Sequence, residues 1–299
     1  MKTIHAAVLI LLLFLQPRAS AGDGPTADTG PRMLVRCDDI GMCQAVNAAF
    51  RRVAETGIPV SASVMFACPW YRDAAEILKA HPHVSVGVHL VLNAEWRNYR
   101  WGPVAGAAAV PSLVDADGLF FPSRAALFAN NPKTAEVERE LRAQIERAKG
   151  TGLRIDYLDT HMGAAVQTPE LRALVERLAE EYGVGIAQYF DEAYSSNTYG
   201  ADFQAKGDSL VARLAALDPA RVNLQVFHIG LDTPELAAME DMNSFGLKEM
   251  SRHRQAELDA LLSEQFLKEA RSGKVRMVTY GDLLRATGVA GMRRPAEFR

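Results

Sequence analysis

The sequence predicts a (β/α) barrel, seven-stranded and distorted. Three observations lead there. Short β-type runs alternate with helical runs about seven times, the pattern of parallel strands with helices outside. No GxGxxG follows the first run, so an open dinucleotide-binding sheet lacks its best marker. No internal repeat or domain linker interrupts the alternation, so residues 33–299 read as one domain.

The predicted strands are 33–37, 61–66, 84–89, 155–159, 185–189, 222–228 and 275–279. Helical patterns lie between them at 45–55, 71–80, 132–148, 169–182, 209–217 and 251–271. Asn131-Pro132 and Thr168-Pro169 each place a capping residue before a proline at the first helical position. Glu138, Arg142 and Glu146 follow at i,i+4 spacing, as on an exposed face. Two long irregular stretches, 90–130 and 190–206, read as functional lids.

Hydrophobic residues make up 48% and charged residues 23%, which excludes disorder, collagen and fibrous repeats. The N-terminus carries Lys2, a short apolar run from Ala6 to Leu15 and Ala19-Ser20-Ala21, the pattern of a cleaved export signal over residues 1–21. Residues 22–32 read as a flexible tail. Cleavage removes Lys2 and Arg18 and takes the formal net charge from -3 to -5, which favours neither nucleic acid nor anionic lipid. The expected product is periplasmic or secreted, with no stable membrane insertion. Cys37, Cys43 and Cys68 form no CxxC pair and read as small buried hydrophobes.

The chemistry gathers at predicted strand ends. The first strand runs into Asp38 and Asp39, whose side chains should point to opposite sides of a regular strand. The third ends in His89, with Ser85 and Gly87 on its face; the fourth ends Asp159-Thr160-His161; the sixth ends in His228. One Asp and two His converging at a barrel mouth can hold a divalent metal with open positions. A second carboxylate could take the proton of an attacking water, and a further His could protonate a leaving group. His81 and His83 flank Pro82 in a turn, and His253 lies on the polar face of a late helix.

Arg36-Cys37-Asp38-Asp39-Ile40-Gly41, with Ala45-Val46-Asn47 behind it, resembles the opening signature of the YdjC-like carbohydrate deacetylases. Gly87-Val88-His89-Leu90, Tyr157-Leu158-Asp159-Thr160-His161 and Phe227-His228-Ile229-Gly230 resemble three further motifs of that family, in order. Arg254 to Leu258 and Val278 to Leu283 look like its closing segments. The resemblance implies a metal-dependent hydrolase that removes acetyl groups from an N-acetylated sugar or oligosaccharide. It also implies that Asp39, His89 and His161 bind the metal, Asp38 is the general base and His228 the general acid. By resemblance the single divalent ion is magnesium; two imidazoles suit zinc or another transition metal better. The partner is a small saccharide, and a homodimer is allowed.

Arg36, Cys37 and Ile229 stand where the family has Asn, Ala and Pro, and Met162-Gly163-Ala164-Ala165 replaces a run with further histidines. Those positions should border the pocket. In the loop Glu95–Trp101, Trp96, Tyr99 and Trp101 could stack on a sugar ring while Arg97 and Arg100 hold an acid group. Two rival functions are a metal hydrolase of another ester or phosphoester, which for a phosphoester favours a second metal, and a non-catalytic exported sugar-binding protein.

Overall fold

The computed structural model describes residues 30–296, so the expected export signal and most of the expected tail, residues 22–29, lie outside the described residues. Arg32, assigned to that tail, instead opens the first strand.

Eight strands occur among the described residues: β1 (Arg32–Ile40), β2 (Ser61–Val64), β3 (Ser85–Leu90), β4 (Tyr157–Thr160), β5 (Gly185–Ile186), β6 (Glu192–Ser195), β7 (Val222–Phe227) and β8 (Arg276–Val278). All pairings are parallel, in the order β5-β4-β3-β2-β1-β7-β6, and β8 pairs with Arg32, Met33 and Leu34 of β1. The sheet curls with its helices outside, a (β/α) barrel in which no pairing joins β5 to β6 among the described residues. β1 is buried from Met33 onward, as a central strand covered on both faces must be.

The seven predicted strands are all present. The eighth, β6, falls in a stretch expected to be irregular. Its sequence hides it because Glu192 is buried there, its carboxylate accepting the N–H groups of Gln188 and Phe190 at 2.7 and 2.6 Å. The helices Tyr71–Ala80 and Pro169–Tyr182 have the predicted ends, and Thr168 Oγ1 caps the second through the Leu171 N–H. Two expectations are corrected. Asn131-Pro132 does not start a helix: Asn131 takes φ 51, the Lys133 N–H is held by Ser112 Oγ, and the helix runs Thr134–Lys149. The single helix expected over 251–271 is two, Met250–Leu261 and Glu264–Arg271, because Ser263 caps the second by accepting from the Phe266 N–H.

The interior of the barrel is filled. A Cβ at Gly87 would lie 2.4 Å from the Tyr157 ring, so only glycine fits there. That ring lies 4.2 Å from Tyr280, and its hydroxyl shares a 2.9 Å hydrogen bond with Ser63. This aromatic floor supports the strand ends above it. Cys37, Cys43 and Cys68 are buried and free, and burial pushes their thiols up.

Candidate active site

β1 does not end as a regular strand. Its register against β2 shifts between Cys37 and Ile40, and Asp39 takes φ 62, a left-handed conformation that Asp tolerates better than most residues. The expected opposite directions of the two carboxylates are therefore corrected: the bulge turns Asp38 and Asp39 onto one cavity. The turn beyond is pinned by Asn47, whose Oδ1 accepts from the Gly41 N–H at 2.8 Å.

β3 delivers His89 and the end of β4 delivers His161. Asp39 Oδ1 lies 3.5 Å from His89 Nε2 and 3.3 Å from His161 Nδ1, and the two ring nitrogens are 3.3 Å apart. All three residues are buried. One carboxylate oxygen and two imidazole nitrogens facing a common point can hold a divalent metal.

Each of the three side chains is held from behind. His89 Nδ1 meets Asp159 Oδ2 at 2.8 Å, a partner that His89 reaches because the two residues pair across β3 and β4. His161 Nε2 meets Glu95 Oε2 at 2.9 Å. These carboxylates fix which ring nitrogen faces the cluster. Asp39 Oδ2 accepts from Arg254 Nη2 at 2.6 Å. Burial alone would raise the Asp39 carboxyl, but the Arg254 charge and hydrogen bonds from His161 and His89 hold it well below the usual carboxylate range.

Asp38 sits beside the cluster. Arg36 grips it with two hydrogen bonds of 2.7 Å, from Nε to Oδ1 and from Nη2 to Oδ2. The remaining Arg36 nitrogen, Nη1, lies 3.0 Å from Asp159 Oδ1. Across the cavity His228 Nε2 is 3.9 Å from Asp38 Oδ2, beyond hydrogen-bond range, and its backbone N–H donates to the buried Glu257. The cavity between these groups measures about 420 Å³, the size of a small-molecule site.

The model of the YdjC-like protein family matches residues 32–271. The chain belongs to the YdjC-like family. A carbohydrate deacetylase of Brevibacillus brevis is similar at 27% identity over 84% of this chain and 99% of its own length. A carbohydrate deacetylase of Thermus thermophilus is 37% identical over 51% of this chain and 52% of its own. A crystal structure from Enterococcus faecalis, described as that of a candidate cellobiose-phosphate cleavage protein, shares the fold. Its TM-score is 0.69 at 21% identity, covering 85% of this chain and 99% of that one.

The long loop of this YdjC-like chain departs from expectation. Trp96 lines the cavity, but Tyr99, Trp101, Arg97 and Arg100 do not. Tyr99 donates its hydroxyl to the Met42 carbonyl, and Trp101 is buried with its ring 6.3 Å from that of His161. Arg97 pairs with Glu240, while Arg100 pairs with Asp115 and donates to the Phe120 carbonyl. The loop folds back on itself, and these four side chains brace it. Of the positions expected to border the pocket, Arg36, Met162 and Gly163 do so, whereas Cys37, Ile229, Ala164 and Ala165 are buried away from it. The residues that sequence reasoning missed are the supports Glu95 and Arg254, and the rim aromatics Tyr194 and Phe245, which are 51% and 67% exposed.

The two histidines carry a testable consequence. Burial lowers the pKa of His89, but the Asp159 charge and hydrogen bonds to Asp159 and Asp39 outweigh it and push it up to about 9. Burial likewise opposes His161, and Glu95 and Asp39 push it up to about 10. Both rings should therefore hold their protons at pH 7, and a metal binding there would have to displace them. Because those nitrogens face each other at 3.3 Å, loading at pH 7 should release roughly one to two protons, and affinity should rise with pH toward 9. Calorimetry in buffers of different ionisation enthalpy measures this; loading with no proton release would contradict the protonated resting state.

Proposed function

We propose that this enzyme removes the acetyl group from an N-acetylated saccharide by metal-assisted hydrolysis, releasing acetate and an amino sugar. The observation that carries the reading is the buried triad Asp39–His89–His161 with a second carboxylate, Asp38, held by Arg36, and a half-buried histidine, His228, on the same cavity. The relatives named carbohydrate deacetylases support the substrate class.

Asp39, His89 and His161 would hold the ion. When bound, it supplies Lewis-acid chemistry, activating water and polarising the acetyl carbonyl. The two imidazoles favour zinc or another transition metal over magnesium. Asp38 accepts the proton of the attacking water, with its carboxylate plane set by the Arg36 fork. His228 protonates the departing amine. The Trp96 ring forms part of the wall against which the sugar lies.

The two-metal phosphoester reading meets an obstacle. Asp38, His89 and Asp159 form a second possible cation cluster, but the Arg36 guanidinium already supplies positive charge to both carboxylates. The export pattern in residues 1–21 supports a reaction outside the cytoplasm.

Acetate release from N-acetylated mono- and oligosaccharides, with chelated and metal-restored protein side by side, tests the reading. No release from any such sugar by fully loaded protein would end it. Tyr194 and Phe245, exposed at the rim, should stack on sugar at a worth of about 1 kcal/mol each. Phe245→Ala and Tyr194→Ala should each raise KM by roughly fivefold with kcat nearly unchanged. Steady-state kinetics with wild-type values for both variants would return these rings to a passive surface role.

A further inference from the structure

Lys206 and Glu257 form a buried ion pair that the proposed reaction leaves without a task. Lys206 opens the helix Lys206–Ala215, Glu257 lies on the helix Met250–Leu261, and both side chains are fully buried. Lys206 Nζ is 3.8 Å from Glu257 Oε1 and donates to the carbonyls of Thr198 and Tyr199 at 2.5 and 2.9 Å. The other Glu257 oxygen, Oε2, accepts from the His228 backbone N–H at 2.5 Å. Burial pushes the Glu257 carboxyl up, and the His228 and Lys206 charges pull it back; burial lowers the Lys206 ammonium, and the Glu257 charge opposes it. Two ions taken out of water often stabilise a fold less than an apolar pair of the same volume would. Neither residue belongs to the Asp39–His89–His161 cluster, so metal binding does not account for the pair.

The pair touches the wall around His228. The connection 196–205, between β6 and the helix Lys206–Ala215, brings Ser196 and Tyr199 to the cavity, and the Tyr199 ring lies 5.1 Å from that of His228. The Glu257 helix is seated against the same strand end. Gly230, two residues after His228, donates its N–H to the Arg254 carbonyl at 3.3 Å, and a Cβ there would come within 3.2 Å of Arg254 Cβ. The imidazole has little else to aim it. Its Nδ1 is buried with no hydrogen-bond partner among the described residues, and its Nε2 is 3.9 Å from Asp38 Oδ2. His228 is therefore placed by its backbone and by the Tyr199 ring, and both lead back to the pair.

We propose that Lys206 and Glu257 are positioning residues for the acid: Glu257 fixes the His228 backbone, and Lys206 holds the Tyr199 connection against the imidazole. The effect on turnover rests on the deacetylase reading. As the C–N bond breaks, its electron pair stays on nitrogen and takes the His228 proton there. A misplaced acid slows that step and spares a leaving group that needs no proton. An error at the metal position or at Asp38 slows attack by water on every substrate.

The test uses the full-length, metal-saturated protein with two substrates: an N-acetylated sugar that the wild type deacetylates, and 4-nitrophenyl acetate, whose phenolate leaves unprotonated. Lys206→Met should lower kcat on the sugar by about 10- to 100-fold, the cost of a misplacement of about 1 Å, and change the rate on the aryl ester by less than about threefold. Metal content should stay at the wild-type level. His228→Gln should show the same selectivity between the two substrates. If Lys206→Met does not fold, because it strands the Glu257 charge, adding Glu257→Gln removes both charges and keeps an acceptor for the His228 N–H. That double variant should also lose sugar turnover selectively. In the NMR spectrum the His228 ring resonance, assigned with His228→Gln, should shift in these variants while those of His89 and His161 stay. An equal loss on both substrates, unchanged rates on both, or an unmoved His228 resonance would overturn the proposal. A wild type that releases no acetate from any sugar would instead remove the deacetylase reading, and the His228 resonance would then decide the placement alone.

Discussion

The His89→Ala protein should fold and should lose the divalent ion and acetate release together. In the proposed site His89 would supply one of three ligand atoms, and the two that remain, Asp39 Oδ1 and His161 Nδ1, would not close the set. Metal affinity should fall by more than about 100-fold, since even loss of an outer-shell partner costs 10- to 100-fold. The fold should persist because the groups behind His89 keep other partners: Asp159 retains Arg36, and Asp39 retains Arg254. Metal analysis after dialysis, together with a thermal melt, reads both parts. A variant with full metal content and wild-type turnover would show that the ion, if any, sits elsewhere.

Asp38→Asn should give the opposite split, keeping metal and losing turnover. Asp38 lies outside the proposed ligand set of Asp39, His89 and His161, so occupancy should change little. A general base typically contributes about 10²- to 10⁴-fold, and kcat should fall by at least the lower figure with KM nearly constant. The amide is not an innocent replacement here. Arg36 offers donors to both Asp38 oxygens, and an asparagine would set its own N–H₂ against one of them. A loss of roughly 1–3 kcal/mol in stability should accompany the change and must be separated from the kinetic effect by melting the variant. If Asp38→Asn lost the ion while Asp39→Asn kept it, the two roles would be exchanged. If neither slowed acetate release, the mechanism would fail.

The barrel was legible because its strands are buried on both faces and read as short apolar runs. Gly87 and Ser85 below His89 also signalled a crowded interior. What escaped was mostly polar material used for structure. β6 was hidden by a buried glutamate, and Asn131-Pro132 looked like a helix start because the competing grip of Ser112 on Lys133 lies 21 residues away in the chain. At the site, the six strand-end residues could be listed from sequence because each closes an apolar run. Their supports could not. Glu95 reaches His161 across 66 residues and Arg254 reaches Asp39 across 215; Arg254 opens a segment that resembles the family pattern, but nothing local in the sequence tells which side chain either one holds. The aromatic loop misled for a related reason. Trp, Tyr and Arg are the residues of sugar sites and equally of loops that pack on themselves, and only the contacts of Tyr99, Arg100 and Trp101 decide between the two.

The left-handed bulge at Asp39 places two different jobs on consecutive residues. Their α-carbons are separated by one trans peptide, about 3.8 Å, and no hinge or loop movement can lengthen that link. The backbones of the group that would take the proton and the group that would hold the ion are thus tied by covalent bonds, while the left-handed turn at Asp39 and the grips of Arg36 and Arg254 aim their carboxylates. His228, in contrast, arrives on another strand and depends on packing to keep its distance. Heating or crowding the barrel should therefore misplace the acid before it misplaces the base, and partial damage should slow departure of the amine sooner than attack by water. One residue inserted between Asp38 and Asp39 would remove the geometry outright, and the stretch between β6 and β7 is constrained as well, since Ser196 lines the cavity and the Tyr199 ring lies 5.1 Å from that of His228.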